Sequence, residues 1–172
     1  MVIWITGLSG SGKSTLASRL VSHIRKSGES VVLLDGDELR KVFGQETNSP
    51  INYSHEARLS LAMRYSHLCR LIALQNQIVV IATISMFSEI HSWNRLNLPG
   101  YFEVYLKVSL DELRRRDSKS VYSRFEKGEL LNVAGLDLHV DEPSHADLIV
   151  VNQPLKSLGE LVLTISARAL RR

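Results

Sequence analysis

The sequence predicts an α/β fold, a parallel sheet of about five strands with helices on both faces, and three observations carry that prediction. Apolar runs of strand length, rich in Val and Ile and with little alternation, recur at Val2 to Ile5, Val31 to Leu34, Ile78 to Thr83, Phe102 to Val108 and Leu148 to Val151. Strands buried on both faces read this way. Helical stretches lie between these runs. Two polar segments, Gly44 to Tyr53 and Asp117 to Ala146, interrupt the alternation.

In chain order, the first run leads into a helix from Lys13 to about Ser27, stopped by Gly28, a natural C-cap. The second run is followed by a short helix, Leu39 to Phe43, and then by the polar segment containing Pro50. A long helix starts near Ser54 and runs to about Gln75. Leu61, Tyr65, Leu68 and Ile72 recur there on one face. The third and fourth runs come next, then a helix from Asp111 to Arg116. The stretch Asp117 to Ala146 is charged and holds Gly128, Gly135 and Pro143. A connection that long inside a compact domain is a functional lid or is unstructured, and a mobile lid is the expectation here. The last run precedes a helix over Leu155 to Ala169.

With 172 residues the chain makes one domain, 1–172, large enough to bury a core. Its 44% hydrophobic and 23% charged residues are ordinary for a globular protein. A net charge of +3 suits anionic small ligands and is too slight to argue for a nucleic acid polymer. One cysteine, Cys69, allows neither an internal disulfide nor a cysteine metal cluster. The chain opens directly on a strand, and no apolar run approaches the roughly 18 residues that span a membrane. The expectation is a cytoplasmic protein with no membrane contact. The histidines show no metal-ligand spacing; His55 alone stands where a helix opens near the expected site.

Gly7-Leu8-Ser9-Gly10-Ser11-Gly12-Lys13-Ser14, followed by Thr15, matches the phosphate-loop pattern in full, with a buried strand before it and an amphipathic helix after it. The glycines let the backbone turn and aim N–H groups inward, where they and the positive helix end cradle the phosphates of ATP. Lys13 then reaches the β- and γ-phosphates and Ser14 ligates Mg²⁺. The fold is thus a P-loop kinase fold with a lid, and Arg116, just before the lid, is the arginine of its run expected to touch phosphate.

The second strand ends in Leu34-Asp35-Gly36-Asp37-Glu38-Leu39-Arg40. Ligands sit at strand carboxyl ends in open α/β sheets. A carboxylate there can accept a proton from an attacking hydroxyl or bind the metal's water, and Arg40 can hold an anionic acceptor.

These residues resemble the adenylyl-sulfate (APS) kinase family, over nearly the whole chain. The matching stretches are Gly7 to Thr15, Leu34 to Arg40, Ile84 to Phe87 and Arg116 to Asp137. The resemblance implies transfer of the γ-phosphate of ATP to the ribose 3′-hydroxyl of adenylyl sulfate, with Mg²⁺. It implies Asp37 as the general base and Asp35 on the metal or its water. Arg40 and Arg58 hold the acceptor's phosphate, Lys119 closes over the phosphates from the lid, and Ile84 and Ser85 line the acceptor pocket. A serine at the position of Ser85 is known in the family as a phosphoenzyme site; in-line transfer does not require one.

The departures from the family cluster at the acceptor. Glu38 stands for an Asn, Asn52-Tyr53 for Gly-Phe, Met86 and Ser88 for a Pro and an Arg, and Val133 for the lid Phe. In the family two phenylalanines sandwich the acceptor's adenine; here the pair is Tyr53 and Val133. The less aromatic pocket also suits a pyrimidine, as in the related cytidine diphosphoramidate kinases of capsule biosynthesis. A non-catalytic ATP-binding regulator would show a broken Asp-Gly-Asp corner or a short lid, and a hydrolase would need a residue to place water. The partner expected is a small nucleotide, and a homodimer is compatible with the sequence.

Overall fold

The computed structural model describes residues 1–45 and 50–170. Part of the polar segment Gly44 to Tyr53 therefore lies outside the described residues. The strands are β1 (Val2–Thr6), β2 (Val31–Asp35), β3 (Ile78–Ala82), β4 (Tyr101–Lys107) and β5 (Leu148–Val151). They form a parallel sheet in the order β2-β3-β1-β4-β5. The helices are α1 (Lys13–Lys26), α2 (Gly36–Val42), α3 (His55–Ala73), α4 (Ser88–Asn97), α5 (Leu110–Arg116), α6 (Val121–Glu126) and α7 (Leu158–Ala169), with a 3-10 turn at Pro50–Tyr53.

Successive side chains of a strand face opposite ways, so each central strand feeds two cores. Ile3 and Ile5 point to the side covered by α1 and α7, where Leu16, Leu20, Ile24, Val104 and Ile165 close the packing. Val2 and Trp4 point to the side of α3 and α4, against Leu61, Tyr65, Ile81 and Ile90. Full burial of each such side chain stabilises the fold by roughly 1.5–3 kcal/mol. Burial on both faces holds for β1 throughout, but not for the edge strands, where Leu33 is 36% exposed and Val151 51%. The Val- and Ile-rich pattern marked all five strands without telling edge from centre.

Several boundaries differ from expectation for local reasons. Helix α2 starts at Gly36, not Leu39, because Asp35 caps it: the carboxylate accepts from the Asp37 amide. Ser54, Ser109 and Ser157 cap α3, α5 and α7 in the same way, and Ser157 moves the start of α7 to Leu158 from the expected Leu155. Helix α4 was not anticipated. It buries Ile90 and Asn94 alone, too few apolar positions to show a period.

Candidate active site

The carboxyl ends of the strands open into a cleft of about 920 Å³, lined by the β1–α1 turn, the β2–α2 corner, the loop after β3 and much of 116–140. Ser9, Gly10, Gly12, Lys13, Ser14, Thr15, Asp35, Asp37, Arg40, Tyr53, Arg58, Ile84, Ser85, Arg116, Lys119 and Val133 all line it; Gly7 and Ser11 do not. Gly7 sits beneath the loop at φ 147°, where a Cβ would come within 2.6 Å of the Leu106 carbonyl oxygen on β4. Ser11 is fully buried and turns its hydroxyl away. It serves through its backbone, its N–H on the Leu8 carbonyl at 3.2 Å and its carbonyl accepting from Asn152 Nδ2 at 3.0 Å.

Helix α1 begins at Gly12 with no side-chain cap and no acidic residue in its first turn, which leaves its N–H donors free for an anion. Lys13 Nζ donates to the Leu8 carbonyl at 2.8 Å. Burial, reinforced by the Lys119 charge and opposed by Asp37 and Asp35, brings the Lys13 ammonium down to about 8. Ser14 Oγ donates to Asp35 Oδ2 at 2.6 Å, while Asp35 Oδ1 holds the Asp37 amide at 2.9 Å. Ser14 and Asp35 thus set two hard oxygen donors beside a phosphate cradle, a donor set that fits Mg²⁺. Elsewhere, no cluster of three or more His, Cys, Asp or Glu able to hold a metal occurs among the described residues.

Asp37 Oδ2 accepts from Lys119 Nζ at 2.5 Å. Burial pushes this carboxyl up, but the Lys119 hydrogen bond and the charges of Lys119, Lys13 and Arg40 outweigh it and hold it below the ordinary range. The guanidinium carbons of Arg40 and Arg58 lie 4.6 and 5.2 Å from the Tyr53 ring centroid. Arg40 also donates to the Asn52 carbonyl at 3.0 Å, and Arg58 to those of Tyr53 and Asn132 at 2.9 and 2.7 Å. Burial and then the Arg40 charge bring Arg58 down to about 10. Tyr53 is therefore a stacking platform for two cations. Val133 is buried at the cleft, its amide on Asp137 Oδ1 at 2.6 Å. Ser85 has φ 29° and its hydroxyl lies 2.8 Å from that of Thr83, while Thr6 Oγ1 ties the Ile84 carbonyl to β1.

Arg116 reaches the cleft with its guanidinium already engaged, by Glu112 at 2.8 Å and the Asn152 carbonyl at 2.6 Å. His55 packs its ring edge-on against Phe87, at 5.1 Å between centroids, and does not line the cleft.

The segment expected as a lid has structure of its own. Asp117 accepts from the amides of Tyr122 and Ser123, both at 3.0 Å, and so starts α6. Tyr122 is buried with Val108 and Leu113 in a small core that includes Leu8 and Leu136, and its hydroxyl donates to the Ser9 carbonyl at 2.9 Å. At Gly135 (φ 84°) a Cβ would come within 2.8 Å of Leu8 Cδ1, so the lid rests on the phosphate loop. Sequence reasoning missed Tyr122, Leu8 and Asn152. It also missed Glu103, a charge inside an otherwise apolar strand, which was the available signal.

Three comparisons bear on this geometry. The family model described as adenylylsulphate kinase matches residues 1–151. The chain is 35% identical over 161 residues to the cytidine diphosphoramidate kinase of Campylobacter jejuni, covering 94% of this chain and 91% of that one. It is 36% identical over 151 residues to the probable adenylyl-sulfate kinase of Bacillus subtilis, covering 87% and 75%. Among solved structures, the Mycobacterium tuberculosis APS kinase in complex with AMPPNP and APS superposes with a TM-score of 0.88 at 29% identity, covering 99% of this chain and 97% of that one.

Proposed function

The chain belongs to the adenylylsulphate kinase family, and from that premise we propose that it transfers the γ-phosphate of ATP to the ribose 3′-hydroxyl of a small nucleotide carrying a modified phosphate. The family acceptor is adenylyl sulfate, giving 3′-phosphoadenylyl sulfate. The observation that carries the reading is the meeting of Lys13, Asp37 and Lys119 in one cleft, from the phosphate loop, the β2–α2 corner and the lid.

In this reading the loop amides and the α1 N-terminus hold the phosphates, and Lys13 leaves the Leu8 carbonyl to follow the transferring group. Ser14 and Asp35 would hold Mg²⁺, which when bound neutralises charge on the phosphates. Asp37, kept ionised by its neighbours, orients the acceptor hydroxyl and takes its proton at Oδ2. Lys119 hydrogen-bonds that same oxygen, so phosphates that draw the lid lysine to themselves would free it for the acceptor hydroxyl. Arg40 and Arg58 carry positive charge with no carboxylate hydrogen-bonded to either among the described contacts, which suits an acceptor's anionic tail.

A second reading has its own support. The cleft is lined by Val133 and by a Tyr53 ring already stacked by two guanidiniums. The relative matched over 94% of this chain is named for cytidine diphosphoramidate. Less aromatic area suits a pyrimidine. The test is the ratio of kcat/KM for adenylyl sulfate over cytidine diphosphoramidate, with products identified by mass and phosphorus NMR. A ratio well above one discards the cytidine reading, a ratio well below one discards adenylyl sulfate, and activity on neither discards both.

No described helix is long and apolar enough to cross a membrane. We place the enzyme in the cytoplasm, where its ATP is, and leave a homodimer to be read by sedimentation.

A further inference from the structure

One wall of the cleft is stitched to a buried polar network that the phosphoryl transfer does not use. Met86, on the loop after β3, and Leu138 to Val140, in the later part of the 117–146 segment, line the cleft from parts of the chain far apart in sequence. Asp141 joins them. Its amide donates to the Met86 carbonyl at 3.0 Å, and its Oδ2 accepts from the Ser88 amide at 2.9 Å, at the start of α4. The Asp141 carbonyl oxygen lies 3.3 Å from His91 Nε2, one turn further along α4.

The other nitrogen of that ring, Nδ1, is 2.6 Å from Glu103 Oε1 on β4. Glu103 is buried in the sheet. Its Oε1 also accepts from the Tyr101 hydroxyl at 3.0 Å and its Oε2 from Arg95 at 3.2 Å. Arg95 in turn donates to the His145 carbonyl at 2.9 Å and to Asp147 at 3.3 Å, and Asp147 holds the Glu103 amide at 2.9 Å. The stretch from Asp141 to β5 is thus fastened at both ends by contacts that lead back to one carboxylate.

Burying a carboxylate is expensive even when it is paired, and an apolar residue of similar size at the same place is often as stable or more so. Fold stability is therefore a weak reason for Glu103. Register is a stronger one, because a charged network tolerates one arrangement of its partners while an apolar contact can slide. We propose that His91, held by Glu103, is a positioning residue for the acceptor pocket: through the Asp141 carbonyl it fixes the 138–141 strip against Met86, and so sets acceptor affinity while leaving ATP affinity alone. The phosphate loop takes its own supports from Leu106, Asn152 and Tyr122, none of them in this network.

The kinetic arm rests on the kinase reading above; the exchange arm does not. His91→Ala, His91→Phe and His91→Gln are compared with the wild-type chain for KM of ATP and of whichever acceptor the wild type phosphorylates. Loss of the bridge raises acceptor KM about tenfold in His91→Ala and His91→Phe and leaves ATP KM within about twofold, while His91→Gln, whose amide can still donate to the Asp141 carbonyl, recovers most of the loss. Hydrogen exchange in the ligand-free chains rises about tenfold over 138–141 in His91→Ala and stays at the wild-type rate over 9–14. Both KM values moving together, a change in kcat alone, or unaltered exchange over 138–141 each overturns the proposal. If His91→Ala does not fold, His91→Phe, which fills the same space without a hydrogen-bond donor, decides by the same criteria. If the wild type phosphorylates no acceptor, the kinase reading fails and the exchange measurement alone decides the role of His91.

Discussion

The phosphate-binding half of the cleft and the acceptor half are assembled in different ways. The first is one unbroken stretch, Gly7 to Thr15, whose donors are largely backbone and whose shape follows from glycines and the start of α1. The second, as proposed, draws on cleft residues from five elements: Arg40 from α2, Tyr53 from a 3-10 turn, Arg58 from α3, Ser85 from the loop after β3 and Val133 from the lid. A contiguous, backbone-built site leaves a pattern in the sequence and accepts little change. A site of scattered side chains leaves none, and any wall can change without disturbing the rest. Variation in this family's acceptor therefore has somewhere to occur while the ATP machinery stays fixed.

The largest expected effect breaks the first half. Lys13→Ala removes the ammonium that follows the transferring phosphoryl group, and kcat/KM falls on the order of 10³-fold or more while the far-ultraviolet spectrum is unchanged. A loss under tenfold in steady-state assays would show that Lys13 is not in that role. The same residue predicts a pH dependence. With Lys13 brought down to about 8 in the free enzyme, kcat/KM for ATP declines as pH rises through about 8, because the uncharged amine no longer attracts phosphate. The linkage runs the other way for stability: this pKa lies below the unfolded value, so the unfolded chain binds the extra proton between about 8 and 10.5 and stability rises with pH across that window.

Asp37 sits where the two halves meet. Asp37→Asn keeps the shape but cannot take the proton, so kcat drops about 10²- to 10³-fold with ATP affinity, read by fluorescent-nucleotide titration, little altered. Retention of kcat with a raised acceptor KM would move the base to Asp35.

Val133→Phe sharpens the second half. It adds one ring beside the Tyr53 platform, worth about 1 kcal/mol where a purine can use it, and so raises kcat/KM for adenylyl sulfate by about fivefold. With a cytidine acceptor the ring fills space without a partner, and kcat/KM stays level or declines. Equal gains on both would mean that Val133 does not face the base.

Tyr122→Phe is the smallest perturbation and tests the seam between lid and phosphate loop. Losing the hydroxyl on the Ser9 carbonyl costs about 1 kcal/mol. Hydrogen exchange over the α6 amides then quickens about fivefold without ligand, and unchanged exchange would show the seam to be held by apolar contact alone.

The strands, the phosphate loop and the start of α3 near Ser54 were legible because each depends on neighbours in sequence, whereas the caps Ser109 and Ser157 were not read and the starts of α5 and α7 were misplaced by one and three residues. Helix α2 was half legible: Asp35-Gly36-Asp37 reads as a corner, and that its first Asp is also an N-cap follows only from where β2 ends. Helix α4 and the Glu103 network were illegible, since His91, Arg95, Glu103 and Asp147 acquire meaning only when β4 and β5 lie side by side. Tyr122 looked like part of a polar lid because its apolar partners, Leu8, Leu113 and Leu136, are spread over the chain.

The place of Asn152 has a consequence for the way the molecule wears out. It follows β5, an edge strand with β4 as its neighbour, yet its amide braces the Ser11 carbonyl and its own carbonyl steadies Arg116. β1 is zipped on both sides; its brace hangs on a margin that can peel. Warming or a protease acting at that margin thus loosens the grip on nucleotide before the sheet dissolves. Inactivation should run several degrees ahead of the loss of helical signal, and bound nucleotide, by pinning Ser11 from the other side, should draw the two temperatures together.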